Sequence, residues 1–160
     1  MQIVIKNNNT LLYDEFKFKC ALGKKGSTSK KIEGDKKTPK GEYNLGPVYF
    51  RKDRIPKIKT KLKTIKIKKI MGWCDDVKSK HYNKIIKINK KVKHERLFLK
   101  NRNYDILIPI NYNSKNIKKN KGSAIFIHLT KNYKPTKGCI AISLNDLQIL
   151  LKIIKRNSKI

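Results

Sequence analysis

His128 and Cys139 stand eleven residues apart in a chain with three histidines and three cysteines. The pair has the makings of covalent acyl transfer. A thiol is a strong nucleophile once deprotonated, and an imidazole can take and return that proton near neutral pH. In Ser-Ala-Ile-Phe-Ile-His-Leu (123 to 129), period-two alternation puts Ala124, Phe126 and His128 on one face of an expected strand. The imidazole then leaves near the strand's end. A loop through Lys131 to Thr136 returns the chain to Gly138 and Cys139, which open the run Cys-Ile-Ala-Ile. Adjacent strands would bring thiol and imidazole together as a thiolate–imidazolium pair, each ion stabilising the other. Gly138 would let the backbone approach a substrate. Main-chain N–H groups around Gly138 and Cys139 would hold a developing oxyanion. The residues alone leave a second reading open, with Cys139 as a small buried apolar side chain and His128 as a hydrogen-bonded strand-end histidine.

The elements that must position this pair read mostly as strands. Glu-Phe-Lys-Phe-Lys-Cys-Ala-Leu (15 to 22) alternates apolar and basic residues, as a half-buried strand does. A polar loop follows over 23 to 37, then an expected type I turn at Thr38-Pro39-Lys40-Gly41. Strand resumes in Glu-Tyr-Asn-Leu-Gly-Pro-Val-Tyr-Phe, broken at Gly46-Pro47. The stretch 57 to 70 alternates Lys with Ile, Leu or Thr and fits a strand with one basic face. Residues 104 to 110 form another apolar run of strand length. From Ser143 the pattern changes: Leu144, Leu147, Leu150, Leu151 and Ile154 recur at helical spacing. Ser143 is placed to cap that helix, with Asp146 three residues on. Lys152, Lys155 and Arg156 favour its C-terminal end. The chain reads as mainly β, one domain over 1 to 160, closed by a C-terminal helix.

The charge is extreme: 41 basic against 11 acidic residues, a net +30. Only five of the basic residues are arginine, and Lys, Asn and Ile are all in excess, as AT-rich codons would produce. A nucleic-acid reader would lean harder on Arg, whose planar fork matches phosphate and guanine edges. No basic recognition helix or aromatic RNA-binding motif is present, so no specific nucleic acid is expected. Weak attraction to anionic surfaces follows from the charge in any case. Three cysteines, Cys20, Cys74 and Cys139, leave at least one unpaired within the chain, and no CxxC pair points to a zinc site. No transmembrane segment is expected, since no apolar run approaches the ~18 residues a membrane helix needs. No signal peptide is visible.

Four ordered segments together resemble the L,D-transpeptidase catalytic-domain family of the YkuD type. Ser123 to Leu150 is similar to the end of that domain, through Ser-Ala-Ile-Phe-Ile-His, Pro-Thr-Lys-Gly-Cys-Ile-Ala-Ile and Asp146-Leu147. Cys20-Ala-Leu-Gly23, Glu33-Gly-Asp35 and Thr38-Pro-Lys-Gly-Glu-Tyr43 resemble its N-terminal hairpin motif. Gly72-Trp-Cys-Asp-Asp76 with His81-Tyr-Asn83 resembles a central motif of one branch, and His94-Glu-Arg-Leu97 is similar to another motif. The resemblance implies a β-sandwich-like domain and ping-pong acyl transfer on peptidoglycan stem peptides, without metal or organic cofactor. It implies Cys139 as nucleophile, His128 as base and Gly138 as the glycine before the nucleophile. Thr136 matches the first residue of the family's Ser/Thr-His-Gly-Cys motif. The motif's second histidine is replaced by Lys137, read as a tuning or solvent-facing group whose ammonium would favour the thiolate. The family chemistry implies a cell-envelope or periplasmic location.

The remaining candidates each carry two readings. Trp73, Asp75 and Asp76 would line a substrate rim, the carboxylates meeting an acceptor's ammonium, or would cap a turn. His81 with Cys74 and Asp75 makes an incomplete metal set, and no metal is expected. His94 and Glu95 read as an ion pair near the cleft or as a surface strand pair. Hydrolysis of the same acyl-enzyme would make an L,D-carboxypeptidase. A basic nucleic-acid-binding or wall-binding module without catalysis is the competing class.

Overall fold

A computed structural model describes all residues, 1–160. The chain forms β1 (Ile3–Lys6), β2 (Thr10–Tyr13), β3 (Phe16–Ala21), β4 (Ser27–Thr28), β5 (Thr38–Pro39) and β6 (Val48–Phe50). It continues through β7 (Thr64–Lys66), β8 (Met71–Cys74), β9 (Ile85–Lys87), β10 (His94–Arg96), β11 (Ile106–Pro109), β12 (Phe126–Leu129) and β13 (Ile140–Ile142). One helix, α1 (Leu144–Ile153), closes it. Eight strands make one sheet in the order β1-β2-β3-β13-β12-β11-β6-β7, with a three-stranded sheet β10-β8-β9 and the small pair β4-β5. The expected mainly β architecture with a C-terminal helix is what the chain adopts.

Strand alternation divides the large sheet into two packed faces. Ile106, Ile108, Ile127, Leu129, Ile140 and Ile142 point to one face, where Leu147, Leu150, Leu151 and Ile154 of the helical stripe cover them. Each such fully buried aliphatic side chain contributes roughly 1.5–3 kcal/mol. Leu107, Phe126 and Cys139 point to the other face, against Trp73 and Leu97 of the small-sheet region. Trp73 meets Phe126 edge-on with ring centroids 5.1 Å apart. α1 starts as its sequence requires: Asp146 N–H donates to Ser143 Oγ at 3.1 Å. No helix is long and apolar enough to cross a membrane.

Two local expectations change, and one element is new. Thr38 and Pro39 are not the start of a turn. They pair in parallel with β4, and Lys40 N–H donates to Thr28 O at 2.7 Å. Pro39 is tolerated there because the ladder asks no donor of it. Of the stretch 57 to 70, only Thr64–Lys66 becomes strand, a parallel edge on β6. Ile58 and Leu62 instead pack individually on the core from irregular backbone. The N-terminal hairpin β1–β2 had no reading in the sequence, yet it extends the sheet beyond β3.

Candidate active site

β12, which carries His128, and β13, which Cys139 directly precedes, are parallel neighbours, with His128 opposite Ala141 and Ile127 opposite Ile140. Phe126 and His128 therefore share a face with Cys139 and Ala141. Both candidate groups line one cleft of about 760 Å³, with Thr136, Lys137 and Asp75 also in its wall. A second cavity of about 460 Å³, beside β1, has no cysteine, histidine or carboxylate side chain in its lining.

The loop before Cys139 is tied down residue by residue. Thr136 Oγ1 donates to Cys139 O at 2.7 Å and accepts from Gly138 N–H at 3.0 Å. Thr136 N–H donates to Leu22 O, and Lys24 N–H to Thr136 O, both at 2.8 Å. Gly138 has φ +139°, and a Cβ there would lie 2.9 Å from Lys37 O. Its glycine is thus required by the chain's own Lys37 backbone, whatever approach to substrate it also allows. The N–H of Gly138 is committed to Thr136, so it is not the free oxyanion donor expected from the sequence.

The electrostatics also correct an expectation. Burial pushes the Cys139 thiol up to about 12, and the Glu95 carboxylate adds to the rise; Phe126 N–H and the Lys31 ammonium oppose it. The thiol donates to Ala124 O at 3.2 Å, and its sulfur accepts from Phe126 N–H at 3.4 Å. His128 is pulled below the usual imidazole range by burial, partly countered by its bond to Leu129 O. The resting pair is therefore neutral thiol and neutral imidazole, not the expected ion pair, because neither charge is solvated there. His128 Nδ1 lies 2.9 Å from Leu129 O, a pure acceptor, so Nδ1 carries the proton and Nε2 keeps its lone pair. Lys137 is exposed and acts on Glu95 rather than on the thiol; the cation acting on Cys139 is Lys31.

Other candidates fall in different places. Asp75 lines the cleft, with Oδ1 buried and unpaired and Oδ2 3.4 Å from Lys93 Nζ. Trp73 lies behind the cleft, its Nε1–H donated to Asn83 Oδ1 at 2.9 Å. Asp76 caps a turn by accepting from Lys78 N–H at 2.9 Å. His81 is exposed on that turn and does not line the cleft. His94 Nδ1 sits 2.7 Å from Val92 O, also outside the lining. Its neighbour Glu95 does line the cleft and accepts the Tyr104 hydroxyl, so the two form no ion pair.

Sequence reasoning missed Tyr104, whose ring stands edge-on to both Phe126 and His128. It also missed Lys31, buried and bonded to Asp35 at 2.5 Å, and Glu33, which accepts from Tyr82 and Ser123 hydroxyls. Glu33 and Asp35 were visible as part of a motif. Nothing in the residue pattern marks Tyr104 as a cleft residue.

Comparison with known families gives one match: a model of the L,D-transpeptidase catalytic domain (YkuD) matches residues 1–160. No curated protein and no solved structure matches the chain.

Proposed function

The chain belongs to the YkuD family of L,D-transpeptidase catalytic domains, and we propose that it transfers peptidoglycan stem peptides through a thioester on Cys139. Family membership implies peptidoglycan as the substrate. The observation that carries the reading is that Cys139 and His128 lie on one face of adjacent strands and line one cleft. His128 Nε2 takes the thiol proton as Sγ attacks the carbonyl of the third stem residue, a diamino acid. The oxyanion falls to the N–H of Cys139, since that of Gly138 is committed. The tetrahedral adduct collapses, the C–N bond breaks, and His128 returns the proton to the departing D-Ala amine. An acceptor amine then gives a proton to His128 and attacks the thioester; the C–S bond breaks and Sγ is reprotonated.

Three carboxylates, Glu33, Asp75 and Glu95, line this cleft in a chain of net charge +30. Six lysines line it as well, so the cleft offers both signs of charge: carboxylates for the ammonium of a diamino residue and ammonium groups for a stem-peptide carboxylate. The Gly72-Trp73-Cys74-Asp75-Asp76 run supports placing the chain in the branch carrying that motif. Incubation with a disaccharide tetrapeptide, followed by mass spectrometry of protein and product, tests the reading. A protein adduct lost in Cys139→Ala together with cross-linked dimers is the expected result. Tripeptide alone would make the enzyme a carboxypeptidase, and no adduct would sink the thioester.

A further inference from the structure

Asn83 is 6% exposed and every polar atom of its side chain is used. Oδ1 accepts from Trp73 Nε1–H at 2.9 Å and from Ala124 N–H at 3.0 Å. Nδ2 donates to Tyr112 O at 3.1 Å and to Asn113 O at 2.8 Å. Its own backbone is left-handed, φ +56°, and its N–H is held by Cys74 O at 2.8 Å. Its four side-chain partners come from three separate segments of chain, which therefore meet on one amide.

Ala124, one of those four, also has a left-handed backbone, φ +53°. For a residue with a Cβ this costs roughly 1–2 kcal/mol, so the conformation persists only because its surroundings fix it. Asn83 grips the N–H of that residue, and the carbonyl of the same residue accepts the Cys139 thiol. The sulfur in turn accepts from Phe126 N–H, two residues further on.

We propose that Asn83 is a positioning residue for the nucleophile: by locking Ala124, it aims the Ala124 carbonyl at Cys139 and parks the thiol proton there. The thiol leaves that carbonyl for His128 Nε2 only when it reacts. Asn83 touches neither substrate nor thiol, and it acts entirely through Ala124.

The thiol's own vibration tests this. In a Cys20→Ala, Cys74→Ala background, the infrared S–H stretch belongs to Cys139 alone. In the wild-type cleft it should lie at the lower frequency of a donated thiol, as the difference from Cys139→Ala shows. A band at the free-thiol position overturns the proposal without any Asn83 variant. Asn83→Gly keeps the left-handed backbone and removes the side chain, so the band should move to the free position. Asn83→Asp keeps an oxygen for Ala124 N–H but turns its second oxygen on Tyr112 O and Asn113 O, so it is less stable, and where it folds its band should stay. In the transpeptidation assay, Asn83→Gly should lower kcat about tenfold or more with KM within about twofold. A folded Asn83→Asp should keep more of kcat than Asn83→Gly. A folded Asn83→Gly with an unmoved band would make Asn83 merely structural. The kcat readout rests on the transpeptidase reading. The S–H band does not, so the two ideas fail separately.

Discussion

In the native protein, Cys139 should be slow toward a small alkylating reagent at neutral pH. Its thiol is raised from an ordinary 9.0 to about 12. At a fixed pH well below both values, that shift cuts the thiolate fraction about 1000-fold. A more basic thiolate is a better nucleophile, with a Brønsted slope near 0.4–0.5, which recovers roughly 16- to 30-fold. The net expectation is alkylation about 30- to 60-fold slower than for the same cysteine in the unfolded chain, before any steric slowing. Iodoacetamide labelling at pH 7 to 8, with and without urea, would measure it, the peptide bearing Cys139 being quantified by mass spectrometry. Cys20, pushed up to about 11 by burial, serves as a second slow thiol in the same sample. A thiolate–imidazolium pair predicts the reverse. If native Cys139 reacts at pH 7 as fast as the unfolded cysteine, or faster, the neutral resting state argued here is wrong.

The base should remain competent in mild acid. His128 sits below its ordinary 6.5, so the acid limb of the pH–kcat/KM profile should fall below that pH. The same depression means the native state binds fewer protons than the unfolded one as pH falls below 6.5. His128 should therefore take stability away there, which urea titrations of wild type and His128→Gln would compare. Gly138→Ala should lower stability by about 1–3 kcal/mol in urea denaturation, since it combines an unfavourable φ with a clash on Lys37 O. Lys137→Ala should reduce kcat only modestly and leave the alkylation rate of Cys139 nearly unchanged, because Lys137 is exposed and its field reaches Glu95.

Features written in local pattern were legible. Period-two alternation marked Phe16–Ala21, and the spacing of Leu147, Leu150 and Leu151 behind Ser143 marked the helix and its cap. Cys139 and His128 were legible as a candidate pair, and the structure places both in one cleft. Charge states were not, because burial of Cys139 and His128 is a product of packing against Phe126, Tyr104 and the small sheet. Nor was the parallel pairing of β12 with β13, since a ten-residue return from 130 to 139 does not announce its direction. Ala124 carries no side-chain signal for a left-handed backbone, and Asn83 shows its role only once three distant segments converge on it. Trp73 and Asp76 stood beside Asp75 in one run, but only Asp75 reached the cleft; β8 ends at Cys74, and the turn that follows breaks the alternation that would keep Trp73 and Asp75 on one face.

The neighbour of the nucleophile's strand on its other side is β3, with Ala21 opposite Ala141 and Cys20 opposite Ile142. Joining them closes a loop running from residue 21 to residue 141, an entropy loss on the order of 4 kcal/mol that must be met before the pairing rewards it. Such long-range pairings form late and slowly. Until they form, Cys139 is an ordinary, accessible thiol, as open to oxidation or stray acylation as any cysteine in a disordered chain. The short β12–β13 return can bring His128 to Cys139 early, but the nucleophile's strand stays open on its other edge until β3 joins, so full shielding of the thiol and a fixed site arrive with that event. Pulse alkylation during refolding should show Cys139 losing reactivity in the same phase that restores activity; an earlier loss would separate the two.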